Sequence, residues 1–159
     1  MPEAVFKFEG SVVAITGGAK GIGAAIAEAF LAAGAIVVVC ARNAPDSLPS
    51  ADGRTAEFQV CDVRKADAVA AWVEGITAKH GRLDVLVNNA GGAPESSASD
   101  SSSRFFDSIV ALNLLGPMYC AQAANKVMQA QDKGGVVINI ASVSGTRASP
   151  GTAMYGAAK

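Results

Sequence analysis

The chain has 159 residues and a formal net charge of −1, and 50% of its residues are apolar while only 17% are charged. This length and composition suit one compact domain with a buried core, so we expect residues 1–159 to form a single domain. The near-neutral charge and the lack of a basic run argue against a nucleic-acid partner.

The composition also indicates where the protein works. The first residues lack the basic region and apolar stretch of a secretory signal, and no apolar run reaches the roughly 18 residues that a membrane span needs. Cys40, Cys61 and Cys120 are scattered and odd in number, which favours buried, reduced thiols. We therefore expect a cytoplasmic protein with no membrane partner.

Short apolar runs alternate with helical patterns along the chain. Strands are predicted at residues 12–15, 36–40, 55–60, 84–87 and 136–140, and loops at 42–53 and 94–103. Helices are predicted at 21–33, 63–80 and 104–130, the last with a bend at Gly116-Pro117, and a further helix begins near Thr152. Alternating units of this kind predict an α/β Rossmann fold, with a doubly wound parallel sheet in the strand order 3-2-1-4-5.

A glycine-rich turn connects the first predicted strand to the first helix. It reads T-G-G-A-K-G-I-G from Thr16 to Gly23. Such a turn lets backbone N–H groups approach a phosphate, which also faces the positive end of the helix dipole. The spacing fits the general G-x-G-x-x-G fingerprint only loosely, and alone it could be an ordinary tight turn. Between a strand and a helix, it predicts nucleotide binding.

Three polar residues near the end of the chain suggest catalysis. Tyr155 and Lys159 are four residues apart on a predicted helix, and therefore lie on one face. Ser142 follows the fifth predicted strand, at the sheet edge where parallel sheets bind ligands. Singly, they could be a packing tyrosine, a solvated lysine and a turn serine. Together with the glycine turn, they indicate an active site.

With these motifs, the chain resembles the short-chain dehydrogenase/reductase family from about residue 10 to its last residue. Further matches are Cys61-Asp62-Val63, the N-N-A-G stretch at 88–91, and Asn113. The resemblance implies that Asp62 contacts adenine and that Asn88 and Gly91 border the cofactor. The expected cofactor-binding residues are Gly17, Lys20, Gly21, Ile22, Gly23, Arg42, Asp62, Val63, Asn89, Ala90, Gly91, Tyr155 and Lys159. The expected catalytic residues are Asn113, Ser142, Tyr155 and Lys159, and no metal site is expected.

The resemblance also implies a role for each catalytic residue. Tyr155 would be the general acid in reduction and the base in oxidation, because a carbonyl that receives hydride builds negative charge on its oxygen. Lys159 would favour the tyrosinate and hold the nicotinamide ribose, and Ser142 would donate to the carbonyl oxygen. Asn113 would hold a water in a proton relay. Alternatively, Asn113 is a polar residue of a helix interior that faces solvent.

Charge after the second strand favours one cofactor. An acidic residue about 20 positions past the glycine turn binds the ribose 2′-hydroxyl of NAD in such folds. Here the chain reads V-V-C-A-R, and no carboxylate occurs before Asp46. Arg42 and Lys20 suit a 2′-phosphate, so NADP(H) is preferred over NAD(H), although either cation could be an ordinary surface charge.

The resemblance stops at Lys159, whereas family members continue with a sixth strand, a substrate lid and a seventh strand. We therefore expect five of the usual seven strands, an exposed apolar edge at 136–140, and an incomplete sequence without the C-terminal lid. Residues 1–159 alone should be inactive and poorly soluble. At full length, a homo-oligomer, dimer or tetramer, is expected through the helix 104–130 and the helix that begins near Thr152.

Two functions from different classes remain open at this point. The first is an oxidoreductase that transfers hydride between NADP(H) and a small-molecule carbonyl or secondary alcohol, such as a 3-oxoacyl thioester, a simple ketone, a steroid or a sugar. The second is a non-catalytic dinucleotide-binding sensor or scaffold. Cofactor binding without turnover would favour the second.

Overall fold

The computed structural model describes residues 6–147 and 149–159. Its strands are β1 (Val12–Thr16), β2 (Ile36–Ala41), β3 (Ser50–Ala51), β4 (Arg54–Thr55), β5 (Glu57–Val60), β6 (Val85–Asn88) and β7 (Val136–Asn139). Its α-helices are α1 (Gly21–Ala32), α2 (Ala66–His80), α3 (Ser103–Val110), α4 (Gly116–Gln129) and α5 (Ala153–Ala157). A π-helical turn, Ala111–Leu115, joins α3 to α4, and a 3₁₀ turn, Val143–Gly145, follows β7.

Five strands form one parallel sheet in the order β5-β2-β1-β6-β7. This arrangement confirms the predicted α/β fold and the predicted strand order. The order reverses between β1 and β6, so the loops after these two strands diverge and leave a crevice at the carboxyl end of the sheet.

The core has two layers, one on each face of the sheet. Val12 and Ala14 of β1 face the layer formed with α2 and α4, which includes Trp72 and Met128. Val13 and Ile15 face the opposite layer, which contains Leu31 of α1 and other apolar residues. All five residues of β1 are buried because helices cover both faces. This is why its sequence is continuously apolar rather than alternating.

The segment predicted as a loop at 42–53 ends in a short hairpin. β3 pairs with β4 in antiparallel register across Asp52-Gly53, whose φ angles are 50° and 75°. An Asp-Gly pair favours such a two-residue turn because both residues tolerate positive φ. The hairpin takes Thr55 out of the predicted strand 55–60, so that only β5 joins the main sheet.

The second long helix begins three residues later than predicted, at Ala66. Asp62 closes a turn ahead of it: the backbone N–H of Arg64 donates to Asp62 Oδ1 at 3.1 Å, and the N–H of Lys65 donates to the Asp62 carbonyl at 3.0 Å. An aspartate that bonds its neighbours' backbone in this way competes with helix formation.

The predicted helix 104–130 is helical over 103–129, with the π-helical turn inside it. This turn lies immediately before Gly116-Pro117, where a bend was predicted. Pro117 has no N–H for the carbonyl of Asn113, and its ring would clash with that carbonyl in a regular α-helix. A wider turn accommodates the proline and places Asn113 within an irregular segment.

β7 is an edge strand with exposed apolar side chains. Val136, Val137 and Ile138 are 55%, 37% and 38% exposed, and the sheet ends at β7 after its pairing with β6. The sequence predicted such an edge at this strand. Within residues 6–147 and 149–159, no helix is both long enough and apolar enough to cross a membrane.

Two glycines let the turn after β1 lie against the segment after β6. Gly17 has a φ of +63°, and a Cβ added there would lie 3.1 Å from Ala90 Cα. A Cβ added at Gly23 would lie 2.4 Å from the Gly17 carbonyl oxygen and 2.5 Å from Asn89 Nδ2. Side chains at these positions would therefore separate the two segments.

We expect Gly23→Ala to lower the free energy of unfolding by about 1–3 kcal/mol, because the added methyl overlaps backbone that cannot yield easily. Denaturant unfolding measures this change. Gly75→Ala is the matched control, because its nearest neighbours are side-chain atoms of Gln59 at 3.5 and 3.6 Å. It should leave stability equal or slightly higher, since alanine is the better helix former. Equal stability of the two variants would contradict the close packing at Gly23.

Candidate active site

A cleft of about 660 Å³ opens at the carboxyl ends of the parallel strands. Its lining includes every predicted cofactor-binding residue, namely Gly17, Lys20, Gly21, Ile22, Gly23, Arg42, Asp62, Val63, Asn89, Ala90, Gly91, Tyr155 and Lys159. Ser142 also lines it. The fold thus brings residues from distant parts of the chain to one cavity.

The first turn of α1 forms part of the cleft. Lys20 precedes the helix in an extended conformation and makes no side-chain cap, and the first turn holds no acidic residue. Backbone N–H groups at a helix N-terminus lack partners within the helix and carry the positive end of its dipole. Because Gly21, Ile22 and Gly23 line the cleft, this end of α1 suits an anion such as a phosphate.

Thr16 ties the glycine turn to the segment after β6. Its Oγ1 accepts hydrogen bonds from the backbone N–H groups of Asn89 and Ala90, both at 3.0 Å. Asn89 Nδ2 in turn donates to the carbonyl oxygens of Thr16 and Gly17 at 3.0 and 3.1 Å. Sequence analysis did not single out Thr16, although a polar residue at the end of an apolar strand is a usable signal.

Asn88, which was expected to border the cofactor, does not line the cleft. It is buried, and its Nδ2 donates to the Pro117 carbonyl at 3.2 Å and to Asn139 Oδ1 at 2.9 Å. Asn88 therefore joins the end of β6, directly before the loop that follows this strand, to α4 and β7.

Asn113 is 4% exposed, which excludes the alternative that it faces solvent. Its Oδ1 accepts from the Gly92 N–H at 2.8 Å, and its Nδ2 donates to the carbonyls of Gly92 and Ile109 at 3.1 and 3.0 Å. The side-chain amide thus holds the loop after β6. A Cβ added at Gly91 would lie 2.8 Å from Asn113 Oδ1 and 3.4 Å from Lys159 Nζ, so these residues converge.

Ser142, Tyr155 and Lys159 line the same cleft. The Ser142 hydroxyl accepts a hydrogen bond from the N–H of Ser144 at 3.2 Å, which fixes it at the start of the 3₁₀ turn. Lys159 Nζ donates to the Ile140 carbonyl at 2.6 Å and lies 6.0 Å from the centre of the Tyr155 ring. A hydroxyl, a phenol and a cation therefore line one cleft beyond β7.

The cleft contains an ion pair that sequence analysis missed. Arg64 donates from Nε to Asp62 Oδ1 at 2.9 Å and from Nη2 to Oδ2 at 2.6 Å. These bonds lower the pKa of the Asp62 carboxyl, and the more distant charge of Arg42 acts in the same direction. Asp62 is therefore ionised at neutral pH. Arg64 follows the D-V motif directly, and only its contact with Asp62 reveals it.

The three cysteines are free and buried, as predicted. The neighbouring Cys61 thiol and burial raise the pKa of Cys40 well above its usual range. Burial raises the pKa of Cys120 to about 12. In the part of the chain that the structure describes, no group of three or more histidine, cysteine or acidic residues is placed to hold a metal ion.

The remaining lining residues are apolar or contribute backbone, and none of them was among the predicted site residues, although Cys61 belongs to the Cys61-Asp62-Val63 match. They are Cys40, Ala41, Cys61, Gly92, Leu112, Ile140 and Ala141.

Comparison with known proteins places this geometry in a family. The family model for short chain dehydrogenase matches residues 11–159. A D-threitol dehydrogenase of Mycolicibacterium smegmatis is 36% identical over 97% of this chain and 61% of its own length. Two other curated relatives are matched over 60% and 57% of their lengths. The chain therefore spans about three fifths of the length of the curated relatives it matches.

Solved structures show the same fold. A metagenomic short-chain oxidoreductase in complex with NADP superposes with a TM-score of 0.84 and 34% identity, over 96% of this chain and 71% of that one. An NADH-dependent reductase complexed with NAD superposes with a TM-score of 0.86 and 26% identity, over 96% of this chain and 68% of that one. With the family model covering nearly the whole sequence, the chain belongs to the short-chain dehydrogenase family.

Proposed function

We propose that this chain forms the cofactor-binding and catalytic part of an oxidoreductase that transfers hydride between NADP(H) and a carbonyl or secondary alcohol. The observation that supports this most is the presence of Ser142, Tyr155 and Lys159 in the same cleft as the N-terminus of α1. Membership of the family supports oxidoreductase chemistry in general, while the cofactor, the substrate and the role of each residue belong to the proposal.

The cofactor supplies the hydride when bound, and the chain's own residues manage the proton and the developing charge. In reduction, the Tyr155 hydroxyl donates its proton to the carbonyl oxygen, and in oxidation its oxygen accepts that proton. The Ser142 hydroxyl donates a hydrogen bond to the same oxygen, where negative charge builds. Lys159 stabilises the tyrosinate by its charge and binds the nicotinamide ribose hydroxyls.

Asn113 belongs to the same proposal as the residue that holds a water for proton relay. Its side-chain amide already bonds Gly92 and Ile109. The irregular π-helical turn around it supports the idea, because such turns free backbone carbonyls from the regular helical pattern.

The preference for NADP(H) rests on charge. Lys20 and Arg42 line the cleft, and the second strand is not followed by the carboxylate that binds the ribose 2′-hydroxyl of NAD in many such folds. One solved relative holds NADP and another holds NAD, so the family itself is compatible with either cofactor.

Arg42→Ala should weaken NADPH binding about tenfold or more while affecting NADH little, because it removes a charged donor to the 2′-phosphate. Fluorescence titration with both cofactors measures the two dissociation constants. Arg54→Ala is the matched control, since Arg54 is an exposed arginine of β4 outside the cleft. Equal weakening of NADPH and NADH by Arg42→Ala would show that Arg42 does not select the cofactor.

Tyr155→Phe should lower kcat at least about 100-fold in the full-length protein, because only the proton donor is lost. NADPH binding should be nearly unchanged. Steady-state NADPH oxidation over a panel of ketones gives kcat, and titration gives the affinity. Tyr119→Phe serves as the control, because Tyr119 packs against the core from α4 and does not line the cleft. A near-normal kcat for Tyr155→Phe would assign the proton to another donor.

Residues 1–159 expressed alone should show little turnover and poor solubility. α5, which carries Tyr155, has five residues, and helices this short need packing to persist. The exposed apolar edge at β7 also favours association. Solubility, molecular mass and NADPH-dependent ketone reduction test this expectation, and a soluble, active 159-residue protein would contradict it.

Cofactor binding without turnover at full length would instead support a sensor or scaffold.

A further inference from the structure

The cleft is lined by one carboxylate among several cations. Asp62 is the acidic residue of its lining, and Lys20, Arg42, Arg64 and Lys159 are the basic ones. An isolated carboxylate in the cleft would repel a phosphate by its charge. How Asp62 is neutralised therefore bears on which cofactor the cleft accepts.

Arg64 engages both oxygens of Asp62. Its Nε lies 2.9 Å from Oδ1 and 3.2 Å from Oδ2, and its Nη2 lies 2.6 Å from Oδ2. The backbone N–H of Arg64 adds a bond to Oδ1 at 3.1 Å. The planar guanidinium is suited to this two-pronged contact, whereas a lysine would form a single point contact.

The pair contributes little to the fold. The Arg64 and Asp62 side chains are 35% and 19% exposed, and solvent-exposed ion pairs add little to stability. Its consequence is electrostatic and local, because Asp62 and Arg64 line the same cleft as Arg42. With Arg64 in place, the charges of these three side chains sum to +1. Without it they sum to zero, and the free carboxylate competes with a phosphate for Arg42.

We propose that Arg64 is a specificity-determining residue: by pairing with Asp62, it neutralises the carboxylate of the cleft and leaves Arg42 free to bind the 2′-phosphate of NADP(H). This inference rests on the proposed function, since it concerns the cofactor of that same cleft. Arg64 acts through Asp62 and Arg42, so it is a positioning residue rather than a catalytic one.

The test is a double-mutant cycle read as the ratio of NADPH to NADH affinity. Arg64→Gln keeps hydrogen-bond donors but removes the charge, and should lower the ratio about tenfold by unmasking Asp62. Asp62→Asn removes the carboxylate, so in its background the same Arg64→Gln change should leave the ratio nearly constant. Arg64→Lys should restore most of the ratio because it restores the charge.

Lys65→Ala is the matched control, because it removes the adjacent cation, which does not line the cleft. Its ratio should equal that of the unchanged protein. Thermal unfolding of each variant reports whether a change in affinity reflects loss of structure, which would alter both affinities together rather than their ratio.

The outcomes separate this inference from the one on which it rests. An unchanged protein that binds neither NADPH nor NADH would overturn both proposals. Cofactor binding with an unaltered ratio in Arg64→Gln, or an altered ratio that Asp62→Asn does not remove, would overturn the role of Arg64 alone.

Discussion

The arrangement of the cleft depends on the hydrogen bonds that connect Thr16 to the segment after β6. β1 and β6 are neighbours, but their chains diverge where the sheet ends, and a crevice between diverging loops would be loose without a cross-link. The Thr16 hydroxyl supplies it by accepting from Asn89 and Ala90, and Asn89 returns two bonds to the glycine turn. These bonds are 3.0–3.1 Å long and partly buried, and they satisfy backbone groups that the sheet no longer pairs.

Two glycines and the Asn113 side chain also hold the loop after β6 in place. Gly17 and Gly23 bring the turn so close to Asn89 and Ala90 that even a methyl group would intrude. Asn113 fixes the next part of the loop by bonding both backbone groups of Gly92 from within the long helix. Side chains from two distant segments, Thr16 and Asn113, therefore hold one loop, which borders the cleft on the side where Lys159 lies.

Electrostatics gives the cleft its second property. The positive end of α1 and the lining cations suit an anion, and the carboxylate among them is paired with Arg64. In the role proposed for Arg64, an exposed salt bridge affects binding although it adds little to stability. The net charge that a ligand meets in the cleft depends on where the paired groups lie, and less on how much the pair stabilises the fold.

Much of this protein could be predicted from the sequence. Continuous apolar runs such as Val12–Thr16, separated by helical patterns, predicted a parallel sheet and its strand order, because strands covered on both faces have no polar side. The glycine turn and the Tyr155–Lys159 spacing predicted the residues that line the cleft. The boundaries of the helices and strands were less predictable. The Asp52-Gly53 hairpin and the π-helical turn before Pro117 arise from local backbone preferences, which apolar periodicity does not reveal.

The sequence by itself determined the glycine turn and the Tyr155–Lys159 spacing, because both depend on residues close together in the chain, whereas the roles expected of Asn113 and Ser142 came from the resemblance to the family. Only the tertiary structure decided the roles of Thr16, Arg64 and the Asn113 side chain. Thr16 and Asn113 act through partners more than 20 residues away. Arg64 contacts Asp62, two residues away, yet its importance follows from their common position in the cleft with Arg42. Spacing along the chain predicts contacts within one element, whereas contacts between elements exist only once the sheet and its helices have packed.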